Sequence, residues 1–88
     1  MLKVYSAKWC PHCHQTIDYL NDNNIEFEYI EMELQPKQVI DKIVEINGGE
    51  DWVVPTLEYN GEWREGKIYN EKELYSDLKR MGVPVPST

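Results

Sequence analysis

The order of strand-like and helix-like segments leaves this chain few architectures. The stretch LKVYS, residues 2–6, has the length and the β-branched and aromatic character of a strand. A helical pattern begins at Pro11, a residue suited to the first position of a helix, and ends at the polar run NDNN. Its predicted core-facing stripe contains Cys13, Ile17 and Leu20. The next stretch, IEFEYIEM, is predicted to be a second strand, parallel to the first, in a sheet covered on both faces.

The second half of the chain predicts a helix, a hairpin and a final helix. Proline opens the segment at residues 36–49, and a pair of glycines ends it. Two short strands follow, joined by Asn60-Gly61, the preferred two-residue hairpin turn. The last helix is predicted within residues 70–82, between a capping asparagine and a glycine. The whole order predicts an α/β domain with a mixed four-stranded sheet and helices on both faces.

The length of the chain limits it to one modest hydrophobic core. Its 88 residues are enough for a domain that folds without a stabilising disulfide. We predict one domain over residues 1–82 and a flexible C-terminal tail over residues 83–88, because the alternating prolines of VPVPST prevent another helix from starting. We expect this domain to be a monomer.

Charge and hydropathy argue against several classes of partner. The formal net charge is −7, whereas nucleic-acid binding requires a positive face. No apolar run approaches the roughly 18 residues of a membrane span, and the first residues lack the pattern of a signal peptide. We therefore expect a cytoplasmic protein that binds neither nucleic acid nor membranes. In that compartment a cysteine pair is catalytic or metal-binding more often than structural.

The only two cysteines, Cys10 and Cys13, are separated by Pro-His. The predicted topology places Cys10 just before the first helix and Cys13 one turn into it, so the sulfurs can reach each other. Because Cys13 shares the core-facing stripe and Cys10 precedes it, we predict an exposed attacking thiol and a shielded resolving thiol. The free N–H groups and the dipole of a helix N-terminus stabilise a thiolate. This arrangement predicts thiol–disulfide exchange through Cys10 and Cys13.

Three basic side chains lie close to the cysteines in the sequence. We expect His12 and Lys8 to supply positive charge that favours the Cys10 thiolate, and His14 to be a surface bystander. A metal site is the alternative interpretation. Zinc requires about four ligands, typically from two separated pairs, and this chain has only one cysteine pair. The residues therefore favour redox chemistry, and we predict no metal ligands.

The tetrapeptide VVPT, residues 53–56, forms a second candidate site. Proline cannot donate to the hydrogen-bond ladder of an interior strand, so Pro55 is either an ordinary strand-start residue or a functional one. The functional interpretation is a cis Val54–Pro55 bond that turns the backbone toward the cysteines and leaves the main chain of Val54 free to pair with a substrate. Since only about 5–6% of X–Pro bonds are cis, the tetrapeptide alone does not decide between these two interpretations of Pro55.

Taken together, these features resemble the glutaredoxin family of the thioredoxin superfamily. The resemblance rests on CPHC at a helix start, VPT downstream, the Asn-Gly hairpin and the order of elements, and it covers residues 2–82. It implies a thioredoxin-like fold with element order β-α-β-α-β-β-α and sheet order 2-1-3-4.

The resemblance also implies roles for individual residues. Cys10 would be the nucleophile and Cys13 the resolving thiol. Pro55 would be the cis-proline beside them. Val54, with Thr56 in the same tetrapeptide, would hold the backbone of glutathione or of another extended substrate.

The glutathione site departs from the family pattern in two places. The family usually has a lysine three residues before the first cysteine, whereas this chain has Ala7 there and the lysine one position later. After the last strand the family usually has Gly-Gly followed shortly by Asp or Ser, whereas this chain has a single glycine followed by lysine. The candidate glutathione-binding residues are Lys8, Gln38, Lys42, Gly66 and Lys67.

The resemblance implies an enzyme that reduces protein disulfides or glutathione mixed disulfides. It would need no bound cofactor, and glutathione would be its co-substrate. These departures are also compatible with an alternative, in which the protein is a redoxin that is reduced by thioredoxin reductase or by another low-molecular-weight thiol. A non-catalytic module that binds a metal or an iron–sulfur cluster is the alternative from another class. Cluster-carrying relatives, however, generally have Gly-Phe-Ser after the first cysteine, and this chain has Pro-His-Cys.

Overall fold

The structure is a computed structural model that describes residues 1–85. In these residues, four strands and three α-helices follow one another in the predicted order, and a short 3-10 turn that was not predicted follows the second strand. They are β1 (Leu2–Ser6), α1 (Pro11–Asp22), β2 (Phe27–Glu31), the 3-10 turn (Met32–Leu34), α2 (Lys37–Ile46), β3 (Thr56–Tyr59), β4 (Glu62–Arg64) and α3 (Glu71–Met81).

The strands form one mixed sheet in the order β2-β1-β3-β4. β1 is parallel to β2, whereas β3 is antiparallel to both β1 and β4. This confirms the predicted thioredoxin-like topology and sheet order. Because β1 is an interior strand, its end fixes the position of the loop that follows it, which carries the first cysteine.

The buried stripe of α1 differs from the prediction at one position. Cys13, Thr16 and Leu20 are buried, whereas Ile17 is only partly buried. Thr16 tolerates burial because its hydroxyl donates to the carbonyl of His12 at 2.9 Å, within the same helix. A satisfied threonine therefore takes the place that hydrophobic spacing had assigned to isoleucine.

β2 belongs to a sheet that is covered on both faces, as predicted, but it has no fully buried residue. It is an edge strand, and all five of its residues are exposed or only partly buried. The alternation of apolar side chains in IEFEYIEM therefore reflects partial burial at the sheet edge.

The turns and helix ends follow the sequence signals. Asn60 and Gly61 both have positive φ angles, 49° and 87°, as a primed hairpin turn requires. Asn70 accepts a hydrogen bond from the N–H of Glu73 at 2.9 Å and begins α3. Gly82, at φ 88°, ends it in the left-handed conformation.

The core occupies both faces of the sheet. The larger cluster contains Leu2, Val4, Leu20, Ile25, Leu57, Leu74, Leu78, Met81 and Val83. The smaller contains Tyr5, Met32 and Ile43. Val83 is only 5% exposed and packs in the larger cluster, and the domain boundary at residue 82 stays a prediction. Of the predicted tail, residues 86–88 lie outside the described residues.

An ion pair between a buried arginine and a partly buried aspartate connects β4 to α3. Arg64 is 2% exposed, and its Nε donates to Asp77 Oδ2 at 2.7 Å. Lys67 Nζ lies 3.1 Å from the same oxygen. Burial opposes ionisation of Asp77, but the hydrogen bonds from Arg64 and Lys67 outweigh it and hold the pKa of Asp77 below its usual value.

We expect acid to weaken the domain through this carboxylate. Because the folded-state pKa is depressed, its contribution is complete above the unfolded value of about 3.9 and is lost as the pH falls through the folded value. Asp77→Asn should lower the free energy of unfolding by about 1.5–3 kcal/mol at neutral pH. Urea unfolding should show this difference shrinking as the pH approaches about 2.

A matched control for this experiment lies on the surface of α2. Asp41 pairs with Lys37 at 2.7 Å, but both side chains are exposed. Asp41→Asn should therefore change the stability little at any pH. A loss in Asp77→Asn that stays constant from neutral pH to acid would contradict the role given to the Asp77 carboxylate.

Candidate active site

The Cys10 sulfur caps the N-terminus of α1. Cys10 has extended backbone angles, and its Sγ accepts the N–H of Cys13 at 3.1 Å. Pro11 follows at the first helical position, where its missing N–H is not needed. Both cysteines are free thiols. Cys10 therefore holds a place that is usually taken by a serine or aspartate oxygen, and its sulfur faces helix N–H groups.

The predicted difference in exposure between the two cysteines is wrong for Cys10. Cys10 is 4% exposed and Cys13 is 1% exposed, so both are buried. The Cys10 side chain points inward because its sulfur interacts with the Cys13 N–H and with the carbonyl of Val54, 3.8 Å away. It packs with Ala7 and Val54. A substrate must therefore reach the edge of this small cluster to meet the sulfur.

Formation of a thiolate is unfavourable at Cys13. Burial, followed by the hydrogen bond with Cys10, raises the pKa of Cys13 to about 12. Cys13 therefore remains a protonated thiol at neutral pH and is unsuited to the first attack on a disulfide.

The loop before β3 places a main-chain edge beside Cys10. The Val54–Pro55 peptide bond is cis, and Pro55 and Thr56 are buried. Thr56 Oγ1 donates to the carbonyl of Val53 at 2.6 Å, which closes the turn. Cys10 and Val54, 44 residues apart in sequence, thus lie at one site.

Asn47, at the end of α2, holds this turn in place. Its Nδ2 donates to the carbonyl of Ile43 at 2.8 Å and to Thr56 Oγ1 at 3.0 Å, and its Oδ1 accepts the N–H of Gly66 at 2.7 Å. One side chain thus joins α2, the cis-proline turn and the segment after β4. Sequence reasoning missed this residue, since an asparagine before Gly48-Gly49 is explained by the helix end alone.

Gly66 lies directly against the cis-proline turn. A Cβ atom at Gly66 would overlap the Val53 side chain, at 2.7 Å from its Cβ, and would lie 2.9 Å from its backbone carbonyl carbon. A glycine is therefore required at this position, because two segments of the chain approach each other closely there. It fixes the distance between the cis-proline turn and the segment before α3.

The two histidines make different contacts. His12 Nδ1 accepts the N–H of Tyr69 at 3.1 Å, so the ring is held by the segment before α3. His14 Nε2 donates to the carbonyl of Lys8 at 2.6 Å and holds the loop before Cys10. Charge supply to Cys10 by His12 and Lys8 stays a prediction, whereas His14 has a structural contact that the sequence did not reveal.

Two carboxylates and two indoles border the loop that carries the cysteines. Glu31 Oε1 accepts the backbone N–H of Lys8 at 3.2 Å, and Glu33 accepts the Trp9 indole N–H at 3.1 Å. Trp9 is 62% exposed, and its ring lies 6.3 Å from that of Trp52. The rim beside Cys10 is therefore aromatic and partly acidic.

Three of the five candidate glutathione-binding residues already have partners within the chain. The Gly66 N–H donates to Asn47, and Lys67 pairs with Asp77 at 3.1 Å. Lys42 lies 3.7 Å from Glu45 and 5.7 Å from the centroid of the Trp63 ring. The other two, Lys8 and Gln38, are exposed.

The described residues contain no group of metal ligands and no helix that could span a membrane. Within residues 1–85, no three or more His, Cys, Asp or Glu side chains are grouped so that they could hold a metal ion. No helix in the same part of the chain is long and apolar enough to cross a membrane.

Comparison with known proteins identifies the family. A family model for glutaredoxin matches residues 2–63. The fold is similar to that of the glutaredoxin (grx-1) from Archaeoglobus fulgidus, with a TM-score of 0.70 and 28% identity over 89% of this chain and 85% of that one. No curated protein sequence matches the chain.

Two plant structures share the fold at lower identity. Wheat glutaredoxin has a TM-score of 0.60 and 22% identity over 92% of this chain and 72% of that one. A buckwheat glutaredoxin–glutathione complex has a TM-score of 0.66 and 17% identity over 93% and 79% of the two chains. The family match and the fold support a thiol–disulfide oxidoreductase, and the spacing of Cys10 and Cys13 fits a dithiol motif. The chain belongs to the glutaredoxin family.

Proposed function

We propose that this protein reduces disulfides by a dithiol mechanism in which Cys10 attacks and Cys13 resolves. The observation that carries the proposal is the position of the Cys10 sulfur. It accepts a helix N–H at 3.1 Å and lies 3.8 Å from the carbonyl of Val54, next to a second free thiol. A dithiol of this kind must be kept reduced between turnovers, so we also propose the cytoplasm as its location.

The first step places negative charge on Cys10. A thiolate at this position receives the Cys13 N–H as a charge-assisted hydrogen bond and faces the positive end of the α1 dipole. The Cys10 sulfur attacks one sulfur of the substrate disulfide, and the other sulfur leaves as a thiolate. Cys13 then attacks Cys10, which releases the bound substrate as a second thiol and leaves a Cys10–Cys13 disulfide. Two electrons from a thiol or a reductase restore the dithiol.

The substrate is proposed to lie along the cis-proline turn. Val54 offers its main chain beside Cys10, while the Thr56 hydroxyl closes the turn by its hydrogen bond to Val53. An extended peptide at this edge would also contact the exposed Trp9 and its neighbour Trp52. These contacts suit a disulfide carried on a polypeptide or on a small peptide such as glutathione.

Glutathione is the first candidate for the electron donor. The similar buckwheat protein is described as a complex with glutathione, which supports the same co-substrate here. Lys8 and Gln38 are exposed and available to its carboxylates. We propose no bound cofactor.

A reductase such as thioredoxin reductase is the second candidate, and specific contacts favour it. The Gly66 N–H and the Lys67 ammonium are used within the chain, so neither is free to hold a carboxylate without rearrangement. Glu31 and Glu33 beside the cysteine loop add negative charge that opposes an anionic tripeptide.

A coupled assay tests the function and chooses the donor. NADPH oxidation would be followed with a mixed-disulfide substrate, in one arm with glutathione and glutathione reductase and in the other with thioredoxin reductase. We expect turnover in the glutathione arm that disappears in Cys10→Ser. Turnover only with thioredoxin reductase would identify that reductase as the electron donor and would leave the dithiol mechanism unchanged. No turnover in either arm, together with a metal or a chromophore on protein purified without oxygen, would overturn the function in favour of a metal-binding module.

A further inference from the structure

The last residue of β1 places a hydroxyl in the protein interior without a partner. Ser6 is fully buried, and its Oγ makes no hydrogen bond to any residue in the part of the chain that the structure describes. Buried hydroxyls nearly always have a hydrogen-bond partner, because their desolvation is otherwise uncompensated. An unpaired hydroxyl at the end of the strand that leads to the cysteines therefore requires an explanation.

Ser6 directly precedes Ala7, which packs with Cys10 and Cys13 in one buried cluster. Burial and the Cys10 hydrogen bond raise the pKa of Cys13, but the backbone amide of Ala7 and the side chain of Ser6 act in the opposite direction, by hydrogen bonding to the thiolate form. A neutral thiol is a weak acceptor, so in the resting dithiol the Ser6 hydroxyl has little to bind. A thiolate at Cys13 would be a strong acceptor at the same place.

We propose that Ser6 is a catalytic residue of the resolving step, where its hydroxyl donates to Cys13 Sγ as that sulfur becomes a thiolate. The amide of Ala7 is the second donor to the same sulfur. This inference rests on the proposed dithiol function and adds a residue to it. Both donors lie at or just after the end of β1, which the fold fixes before the charge forms. Hydrogen bonds that strengthen as the charge forms favour the transition state over the resting state.

The chemistry of the step is balanced without an external oxidant. The Cys13 thiol gives its proton to water, and a lone pair on its sulfur forms a bond to Cys10 Sγ. The bond between Cys10 and the substrate sulfur breaks, and its electron pair leaves on the substrate thiolate, which takes up a proton. The substrate sulfur is reduced, and the protein dithiol is oxidised to the Cys10–Cys13 disulfide.

Stopped-flow reaction with dithiobis(nitrobenzoate) separates attack from resolution. The attack of Cys10 releases the first coloured thiolate, and the attack of Cys13 on the resulting mixed disulfide releases the second. We expect Ser6→Ala to leave the first phase unchanged and to slow the second by about three- to tenfold near neutral pH. The lost hydrogen bond lowers the fraction of Cys13 thiolate, and the greater nucleophilicity of the more basic thiolate offsets part of that loss.

Two further measurements distinguish a role of Ser6 in the resolving step from a loss of stability in the variant. Raising the pH should accelerate the second phase of Ser6→Ala, because hydroxide supplies the thiolate that the hydroxyl otherwise stabilises. Urea unfolding should show that Ser6→Ala is as stable as the parent or more stable, since alanine removes an unpaired polar group. Thr16→Val is the matched control. It removes a buried hydroxyl that bonds only to the His12 carbonyl, and it should leave both phases unchanged.

The possible outcomes distinguish a failure of the role given to Ser6 from a failure of the proposed dithiol function. A second phase that is equally fast in Ser6→Ala and in the parent would overturn the role of Ser6, as would an equal slowing of both phases in a destabilised variant. A first phase that is absent from the parent, or that survives in Cys10→Ser, would overturn the proposed dithiol function itself.

Discussion

Replacing Cys10 by serine is expected to lower disulfide reduction by about three orders of magnitude or more, in line with the loss of a catalytic nucleophile in other enzymes. Serine retains the shape of the helix cap, and its oxygen can still accept the Cys13 N–H. It provides no thiolate, however, so the attack on the substrate disulfide stops. Turnover of a mixed-disulfide substrate with an excess of reductant would measure the loss.

Cys13→Ser is the matched control for this prediction. The variant keeps the Cys10 sulfur at the helix terminus, so a single round of attack should proceed at close to the parent rate. It cannot form the Cys10–Cys13 disulfide, so protein disulfides should remain bound as mixed disulfides. Turnover that persists in Cys10→Ser, or an attack that depends on Cys13, would reverse the assignment of the two sulfurs.

Replacing Gly66 by alanine is expected to have the largest effect on the cis-proline turn. The added methyl group would overlap the Val53 side chain and would lie 2.9 Å from the Val53 carbonyl carbon. Overpacking of this kind destabilises proteins by about 1–3 kcal/mol, and contact with backbone places Gly66→Ala near 3 kcal/mol. Because Val53 precedes Val54, we also expect turnover to fall about tenfold through displacement of the main chain beside Cys10. Urea unfolding and turnover would be measured on the same protein.

The double variant Gly66→Ala with Val53→Ala provides a graded control. Val53→Ala removes the nearest methyl group, but the Val53 Cβ, 2.7 Å from the added atom, remains. Stability should therefore recover only in part. A Gly66→Ala protein with parental stability and turnover would show that the two segments separate without loss and that Gly66 does not position the turn.

The fold could be predicted because its signals are local. Pro11, the Asn60-Gly61 turn and the caps of α3 each specify an element end by backbone stereochemistry, and the structure has those ends where they were predicted. Which side chains of α1 and β2 are buried was harder to predict from the sequence. It depends on the satisfied hydroxyl of Thr16 and on which strand lies at the sheet edge.

The site could be predicted only where a motif marks it. Cys10, Cys13 and Pro55 stand in recognisable patterns, whereas Asn47 and Ser6 act through contacts between distant segments. The inward orientation of Cys10 has the same origin, because its sulfur is held by a carbonyl 44 residues away. Such contacts are set by tertiary packing, which residue spacing does not encode.

Trapping the mixed disulfide tests the central claim most directly. Cys13→Ser would be mixed with a disulfide-bonded peptide, quenched in acid, digested and analysed by mass spectrometry. We expect one peptide adduct per chain on Cys10, and a Cys10–Cys13 disulfide without adduct in the parent protein. No adduct on Cys10 in Cys13→Ser, or an adduct of equal yield on Cys13 in the matching Cys10→Ser protein, would contradict it.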